Sequence, residues 1–226
     1  MSAKSRGVTL VELSIVLAIL GILVIVGVSG RSLLDIARAT ATIEQINSRS
    51  IAFQTFEATY GCVPGDCALT TIVGASGSLN TVGVGDGNGK IGHLSRFEES
   101  FYAEEHFYKA GLFSRPVTIS GTLVAENIYA SVKIPNFHIA LFTLNSNPAY
   151  NNFVGGVYHV IYQPSQALNL VYFAPWRNSY LKIFQIIESK LDDGDITTGN
   201  MRCGGIDINF DITPYPADRC TFVAKV

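Results

Sequence analysis

The sequence predicts an α+β protein in which a long amino-terminal helix, membrane-spanning in its first half, precedes a globular head. Three observations lead to this prediction. The chain is apolar from Val8 to Gly30, it keeps helical apolar spacing as far as Tyr60, and later it contains many short β-like runs. We therefore expect a helix over residues 8–60, with residues 8–30 in the membrane, and a head over residues 61–226.

The membrane prediction depends on the polarity of the first apolar run. Between Val8 and Gly30 the only ionisable side chain is that of Glu12, and the run contains no proline. About 20 apolar residues suffice to cross a hydrocarbon core. A carboxylate inside such a run costs roughly 2.5–3.5 kcal/mol near the helix centre, so it invites a functional explanation. The alternative is that Glu12, close to the start of the run, simply reaches the lipid headgroups.

The helix is predicted to continue past the membrane segment. Charged residues lie largely off the apolar stripe of this second half, and neither a proline nor a strong loop signal interrupts it. One helix is therefore the simplest interpretation, and two helices hinged between Gly27 and Gly30 are the alternative. The stripe consists of Ile36, Ile43, Ile46, Phe53, Phe56 and Tyr60.

The head is predicted to contain two further helices and several strands. A capping box at Ser95–Glu98 opens the first helix, and the second covers about Tyr180–Leu191. Gly, Asn and Pro punctuate the β-like runs. The predicted strands are Val117–Val124, Ile128–Ile134, Phe137–Leu144, Val154–Tyr162, Leu168–Phe173, Ile206–Ile212 and Thr221–Val226.

The composition limits the classes of function that this chain can have. A net charge of −2 with 15% charged residues gives no sign of nucleic-acid binding. The four histidines are scattered, and no G-x-S-x-G motif supports a serine nucleophile. The absence of catalytic residues and of enzyme activity is instead an expectation that follows from the assembly role implied by the resemblance described below.

All four cysteines follow the apolar run, which favours two disulfides in an exported domain, with three possible connectivities. Pairing of neighbours in sequence predicts Cys62–Cys67 and Cys203–Cys220. The short spacing of Cys62 and Cys67 also permits a metal or redox interpretation.

An acidic loop near the carboxyl end is a candidate metal site. Asp192, Asp193 and Asp195 place three carboxylates within four residues, and Thr197 offers another oxygen. Hard cations such as Ca²⁺ take several oxygen ligands from a flexible loop. The alternative is a solvated helix end with Gly194 at the capping position.

The first thirteen residues resemble a known processing site. Met1–Gly7 is a short leader with Lys4 and Arg6, and Gly7 is followed by Val8-Thr9-Leu10-Val11-Glu12-Leu13 and the apolar run. This arrangement resembles that of type IV pilins and type II secretion pseudopilins, in which Phe or Met usually stands where this chain has Val8. The resemblance implies that a prepilin peptidase cuts between Gly7 and Val8, methylates the new terminus and leaves the helix in place. It also implies a pilin-like fold, with the long helix packed on an antiparallel sheet.

The resemblance gives Glu12 a role in assembly. After cleavage the amino group of Val8 lies four residues before Glu12 on the same helical face. In lipid the carboxylate gains by pairing with a positive terminus, its own or that of a neighbouring subunit. A neighbour's terminus satisfies it at one axial offset only, so the pair sets register among parallel helices.

Three later stretches extend the resemblance. Tyr60–Asp66 is similar to the Y-x-x-x-P-G-D that follows the long helix in many pilin-like proteins. Gly85–Ile91 is similar to their Gly/Asp/Asn loop, and Lys190–Asp195 to a K-L-D-D-G segment near their carboxyl ends. Some pseudopilin heads hold calcium, which adds to the calcium hypothesis for the acidic loop.

The expected function is that of a structural subunit of a type IV pilus or pilus-like filament. Its expected partners are prepilin peptidase, other pilin or pseudopilin subunits and the membrane. The positive charges of the leader place it in the cytoplasm, so the head lies outside the bacterial inner membrane and later in a periplasmic or cell-surface filament. The alternatives are a type II secretion pseudopilin and an exported binding or enzyme domain that uses this type of anchor.

Overall fold

The computed structural model describes residues 9–67, 85–92, 98–113, 130–135, 137–146, 154–162, 180–206, 212–213 and 221–226. The chain divides into two compact units, Met1–Ala37 and Arg38–Val226. The elements in chain order are α1 (Leu10–Tyr60), α2 (Glu98–Lys109), β1 (Ala130–Ser131), β2 (His138–Leu144), β3 (Gly156–Tyr162), α3 (Leu181–Leu191), β4 (Met201–Ile206), β5 (Ile212–Thr213) and β6 (Thr221–Lys225).

Helix α1 is continuous through Gly27 and Gly30, so the structure has the single helix and not the hinged pair. The absence of proline from this stretch allows the backbone hydrogen bonds to continue without a gap. The helix ends where Gly61 adopts φ 69° while its N–H still donates to the carbonyl of Glu57 at 2.8 Å. A glycine is suited to this left-handed position because it has no Cβ to clash with the backbone.

Among the described residues, the strands of the second unit form a six-stranded sheet in the order β1-β2-β3-β6-β4-β5. Each neighbouring pair is antiparallel, and the longest pairing sets Ile139 of β2 opposite Ile161 of β3. The carboxyl-terminal strand β6 lies between β3 and β4, so it joins the β1–β3 part of the sheet to the β4–β5 part. This confirms the predicted α+β class and is consistent with a pilin-like fold.

Two strands differ from the sequence prediction. Strand β1 (Ala130–Ser131) ends at Ser131, whereas Ile128–Ile134 was predicted, because the chain then makes a tight connection in which Val132 N–H donates to the carbonyl of Phe137 at 3.0 Å. The sequence predicted a strand over Ile206–Ile212, whereas strand β4 already begins at Met201. Its glycine-containing segment resembles a turn in sequence, but pairing with β6 holds it in an extended conformation. The predicted strands over 117–124 and 168–173 lie outside the described residues.

The apolar stripe of α1 supplies two hydrophobic cores of the second unit. Ile46 belongs to the first core, which lies between α1, α3 and the sheet, and includes Phe184 and Phe222. Phe53 and Phe56 belong to the second, together with Phe107 of α2. From Ile43 to Tyr60 the periodicity of the sequence therefore identified the face of α1 that the head buries, whereas Ile36, the first residue of the predicted stripe, is 42% exposed.

A buried ion pair joins α1 to α2. Arg49 and Glu104 are 6% and 3% exposed, and their planar groups meet through two parallel contacts, one of which joins Nη2 to Oε2 at 2.8 Å. The guanidinium carbon also lies 5.3 Å from the ring centre of Phe113. Both charges are thus shielded from water and paired with each other, so removal of either partner alone should lower the stability of the head.

His106 and His159 are both buried in the head. His106 accepts a hydrogen bond at Nδ1 from Gly65 N–H at 2.8 Å, and the Nε2 of His159 lies 3.1 Å from the hydroxyl oxygen of Ser50. Burial lowers the pKa of His106 to about 4. Burial, with a smaller contribution from the charge of Arg49, lowers the pKa of His159 to about 3. Both side chains are therefore neutral in the folded head at neutral pH.

We expect the head to lose stability as the pH falls from about 6.5 toward the lowered pKa values. The unfolded chain takes up these protons first, so stability is complete above the unfolded pKa and declines below it. Each histidine should contribute a loss of about 2 kcal/mol between pH 7 and pH 5. Thermal unfolding of the full-length protein in detergent at both pH values measures this loss. The matched variants His106→Asn and His159→Asn should each show a smaller loss, and a loss equal to that of the wild type would exclude the assignment.

Candidate functional site

The amino-terminal part of α1 is an apolar surface. Every large apolar side chain between Leu10 and Ile25 is at least 51% exposed. Among the described residues, α1 is the one helix long and apolar enough to cross a membrane. We expect lipid or other protein to contact this surface, because contiguous apolar patches beyond a few hundred Å² are rare on soluble monomers.

Glu12 forms the amino-terminal cap of this helix together with Thr9. Its Oε2 accepts hydrogen bonds from the backbone N–H of Thr9 at 2.8 Å and from the Thr9 hydroxyl at 2.9 Å. In return, the N–H of Glu12 donates to the Thr9 hydroxyl at 3.2 Å. This reciprocal pair is a capping box. The predicted processing residues Gly7 and Val8 lie outside the described residues.

A disulfide closes the turn that follows α1. Cys62 and Cys67 are bonded, with their Cα atoms 5.6 Å apart, as predicted from their spacing. A closed loop of this size contributes about 2 kcal/mol in the loop-entropy treatment. Cys203 also takes part in a disulfide. Its predicted partner Cys220 lies outside the described residues, so that pairing stays a prediction.

The Asp66 carboxylate connects this turn to the glycine-rich loop at residues 85–92. Its two oxygens accept hydrogen bonds from the N–H groups of Gly87 at 2.7 Å and Gly89 at 2.6 Å. The same loop docks on strand β2, where Ile91 N–H donates to the Thr143 hydroxyl at 2.8 Å and Thr143 N–H donates to the Ile91 carbonyl at 2.9 Å. The two motifs of the family resemblance therefore form one structural unit.

Two glycines in this unit permit close backbone approach. A Cβ at Gly85 would collide with the backbone of Asp66, and a Cβ at Gly65 would collide with the carbonyl oxygen of Glu99. Gly65 also has φ 94°, a region that L side chains rarely adopt. The glycines of these motifs are thus explained by packing of turn, loop and helix.

A first acidic cluster lies at the centre of this unit. Asp66, Asp86 and Glu99 each place a carboxylate oxygen within 4.8 Å of the others. Glu99 accepts from the N–H groups of Gly92 at 3.0 Å and Asp86 at 3.3 Å, and burial raises its pKa. Because backbone N–H groups satisfy both oxygens of Asp66 and both of Glu99, the cluster is explained as a connection between backbone segments.

The second acidic cluster lies where α3 ends. Here Asp192, Asp193 and Glu188 each place a carboxylate oxygen within 4.8 Å of the others. The sequence analysis did not predict Glu188 as a member of this cluster. Asp195 instead makes hydrogen bonds within its own loop, where its Oδ1 accepts from the N–H and the hydroxyl of Thr197 at 2.9 and 2.7 Å. The spacing of Glu188 and Asp192, four residues apart on one helical face, is the signal that could have revealed the cluster.

The loop itself is held by the same carboxylates. Asp192 Oδ2 accepts from the N–H groups of Asn200 and of Met201, the latter at 2.8 Å, and Asp193 accepts from the Thr198 hydroxyl at 2.7 Å. Glu188 is fully buried, and its Oε1 accepts from Gly194 N–H at 2.9 Å. No N–H group in the described part of the chain donates to its Oε2. Burial raises the pKa of Glu188, and so do a side-chain hydrogen bond with Asp193 and the charges of Asp193 and Asp192.

The long apolar helix and the α+β head that follows it form an arrangement that is consistent with a pilin-like fold. Residues 2–28 match the family model described as the prokaryotic N-terminal methylation motif. This is the prepilin-type motif of type IV pilins and pseudopilins, and the match confirms the resemblance found in the sequence. Comparison with curated proteins and with solved structures gives no match.

Proposed function

We propose that this protein is a structural subunit of a type IV pilus or a pilus-like filament. The observation that supports the proposal most directly is the apolar surface of α1 between Leu10 and Ile25, interrupted by a single carboxylate. Lipid covers this surface in the precursor state, and the helices of neighbouring subunits cover it in the filament. The one polar group, Glu12, then directs how the helices align.

The order of events in this proposal begins at the membrane. The apolar segment holds the chain in the bacterial inner membrane, with the leader in the cytoplasm and the head outside. Prepilin peptidase removes residues 1–7 and methylates Val8. The subunit then enters a periplasmic or cell-surface filament, and the head performs no catalysis. A pseudopilin of type II secretion is the alternative within the same class.

The head suits a structural role because buried contacts, an ion pair and a disulfide attach it to α1. Phe53 and Phe56 bury the apolar stripe, Arg49 pairs with Glu104, and the Cys62–Cys67 bond closes the turn directly after the helix. A force on the helix is thereby transmitted to the sheet through buried contacts. No enzyme function is needed to explain these features.

Cleavage after Gly7 tests the proposal. Protein extracted from membranes of cells that contain prepilin peptidase should have an intact mass lacking residues 1–7 and carrying one additional methyl group. The matched control Gly7→Val should keep the leader, because the peptidase recognises the glycine before the cut. A mature terminus beyond Gly30 would instead indicate an ordinary secretory signal and would exclude filament assembly through α1.

A further inference from the structure

We propose that the Cys62–Cys67 disulfide is a redox-sensitive switch for the turn at residues 61–67. When the bond is formed, the turn is held against α2 and against the glycine-rich loop at residues 85–92. When the bond is reduced, these contacts loosen while the sheet stays folded. The proposal concerns the head alone and does not depend on filament assembly. It predicts a local change of structure, which distinguishes it from a general stabilising effect of the disulfide.

The residues between the two cysteines make the contacts that attach the turn to its neighbours. Gly65 N–H donates to Nδ1 of His106 on α2 at 2.8 Å. The two carboxylate oxygens of Asp66 accept from N–H groups of the loop, that of Gly87 at 2.7 Å and that of Gly89 at 2.6 Å. The disulfide closes a ring around the turn and removes chain freedom that opposes these contacts. Reduction returns that freedom, so the contacts then form for a smaller part of the time.

A reductant can reach the bond from the side of Cys62. This residue is partly exposed, whereas Cys67 is 1% exposed. A thiolate of a dithiol therefore attacks Sγ of Cys62, the S–S bond breaks, and Cys67 leaves as a thiolate that takes up a proton. The second thiol of the reductant then displaces Cys62. Two electrons thus pass from the dithiol, which becomes a disulfide, to the two cysteines, which become thiols.

The surroundings of Cys67 suit the reduced state as well as the oxidised one. Its Sγ lies 3.1 Å from the carbonyl oxygen of Val63, so the thiol formed by reduction can donate a hydrogen bond to that oxygen. Cys67 also belongs to the second hydrophobic core, where a free cysteine behaves as a small apolar side chain. Reduction therefore replaces a covalent link by a weak hydrogen bond and leaves the core packed.

The sheet has contacts of its own that do not involve this disulfide. Strand β2 pairs with β3 from His138 to Leu144, and β3 pairs in turn with β6. The bonded cysteines lie in the second core, whereas Phe184 and Phe222 pack in the first core. Proteins commonly open one segment while the rest stays folded. We therefore expect reduction to act on the turn and on residues 85–92 and to leave the strands in place.

Amide hydrogen exchange of the full-length protein in detergent tests the switch. In the variant Cys203→Ser/Cys220→Ser the bond of the turn joins the only cysteines left, so dithiothreitol acts on this bond alone. Reduction should accelerate exchange over residues 85–92 by about tenfold or more, since the closed ring restricts the turn by at least that factor. Exchange over strand β3 should stay within about twofold, and reoxidation should restore slow exchange in the loop.

Each other outcome overturns the proposal. Labelling that finds no free thiol after dithiothreitol treatment of the folded protein would mean that a reductant does not reach the bond. Unchanged exchange over residues 85–92 in the reduced protein would mean that the turn is held without the bond, and equal acceleration over β3 would mean a general loss of stability. Should Cys203→Ser/Cys220→Ser fail to fold, Cys62→Ser/Cys67→Ser decides. It needs no reductant and should show the same acceleration over residues 85–92 alone, and exchange at the wild-type rate there likewise overturns the switch.

Discussion

Glu12→Ala is expected to enter the membrane normally and to stop filament formation. Removal of the carboxylate eases insertion of the helix, so the amount of membrane-held subunit should not fall. In the proposed filament, however, the substitution leaves a neighbour's amino terminus unpaired among apolar helices. Loss of one partner of a buried charge pair costs about 3–5 kcal/mol, and the cost recurs at every subunit addition.

The capping box found in the structure adds a second explanation that must be separated from the first. Loss of the cap to Thr9 would by itself cost roughly 0.5–2 kcal/mol of helix stability. Glu12→Gln keeps an acceptor for the Thr9 N–H but removes the charge, whereas Thr9→Val keeps the charge and removes the hydroxyl. If charge pairing drives assembly, Glu12→Gln should fail as Glu12→Ala does and Thr9→Val should assemble.

The ratio of sheared or extracellular filament to membrane-held subunit, at matched expression, measures these outcomes. Filament yield at the wild-type level from Glu12→Ala would contradict any assembly role of Glu12. Recovery in Glu12→Gln alone would assign the residue to helix capping. The same membranes report insertion, so a defect in anchoring is detected separately from a defect in assembly.

Arg49→Met is expected to produce one of the largest losses of head stability available to a single substitution. It leaves the Glu104 carboxylate, 3% exposed, without its guanidinium. Removal of one member of a buried pair costs about 3–5 kcal/mol, which corresponds to a fall of roughly 10 °C in the unfolding temperature of a domain of this size. Glu104→Leu should cost a similar amount, because it strands the charge of Arg49.

The double variant Arg49→Met/Glu104→Leu provides the control. Two apolar side chains of similar volume replace the pair, so neither desolvated charge remains, and stability should return close to that of the wild type. Thermal unfolding of the four proteins in the same detergent gives the coupling energy directly. Additive losses in the double variant would show that the two side chains act independently, through packing on Phe113 and its neighbours, and not as an ion pair.

Much of the fold followed from local patterns in the sequence. The course of α1 depends on a run of apolar residues, on helical spacing and on the absence of proline, all of which act between residues a few positions apart. The Cys62–Cys67 bond likewise joins residues close in sequence. Strand β4 was placed too late because its glycines mark a turn locally, while its pairing with β6 is decided by a distant segment.

The candidate sites divide in the same way. The sequence identified Glu12 and the acidic residues Asp192 and Asp193, because a lone carboxylate in an apolar run and a crowd of carboxylates are visible as patterns. It did not identify Glu188, since a glutamate near the end of an amphipathic helix is ordinarily on the solvated face, and only the packing of α3 buries this one.

The sequence by itself determined the long apolar helix, the N-terminal methylation motif and the face that α1 buries from Ile43 onward, because these depend on local chemistry and periodicity. The tertiary structure alone decided which distant groups meet. Arg49 and Glu104 are 55 residues apart, and Asp66 reaches N–H groups 21 and 23 residues away. The packing of α1, α2 and the loops against the sheet brings these pairs together. The residues next to each partner in sequence do not indicate the other partner, so no local pattern predicts the pairs.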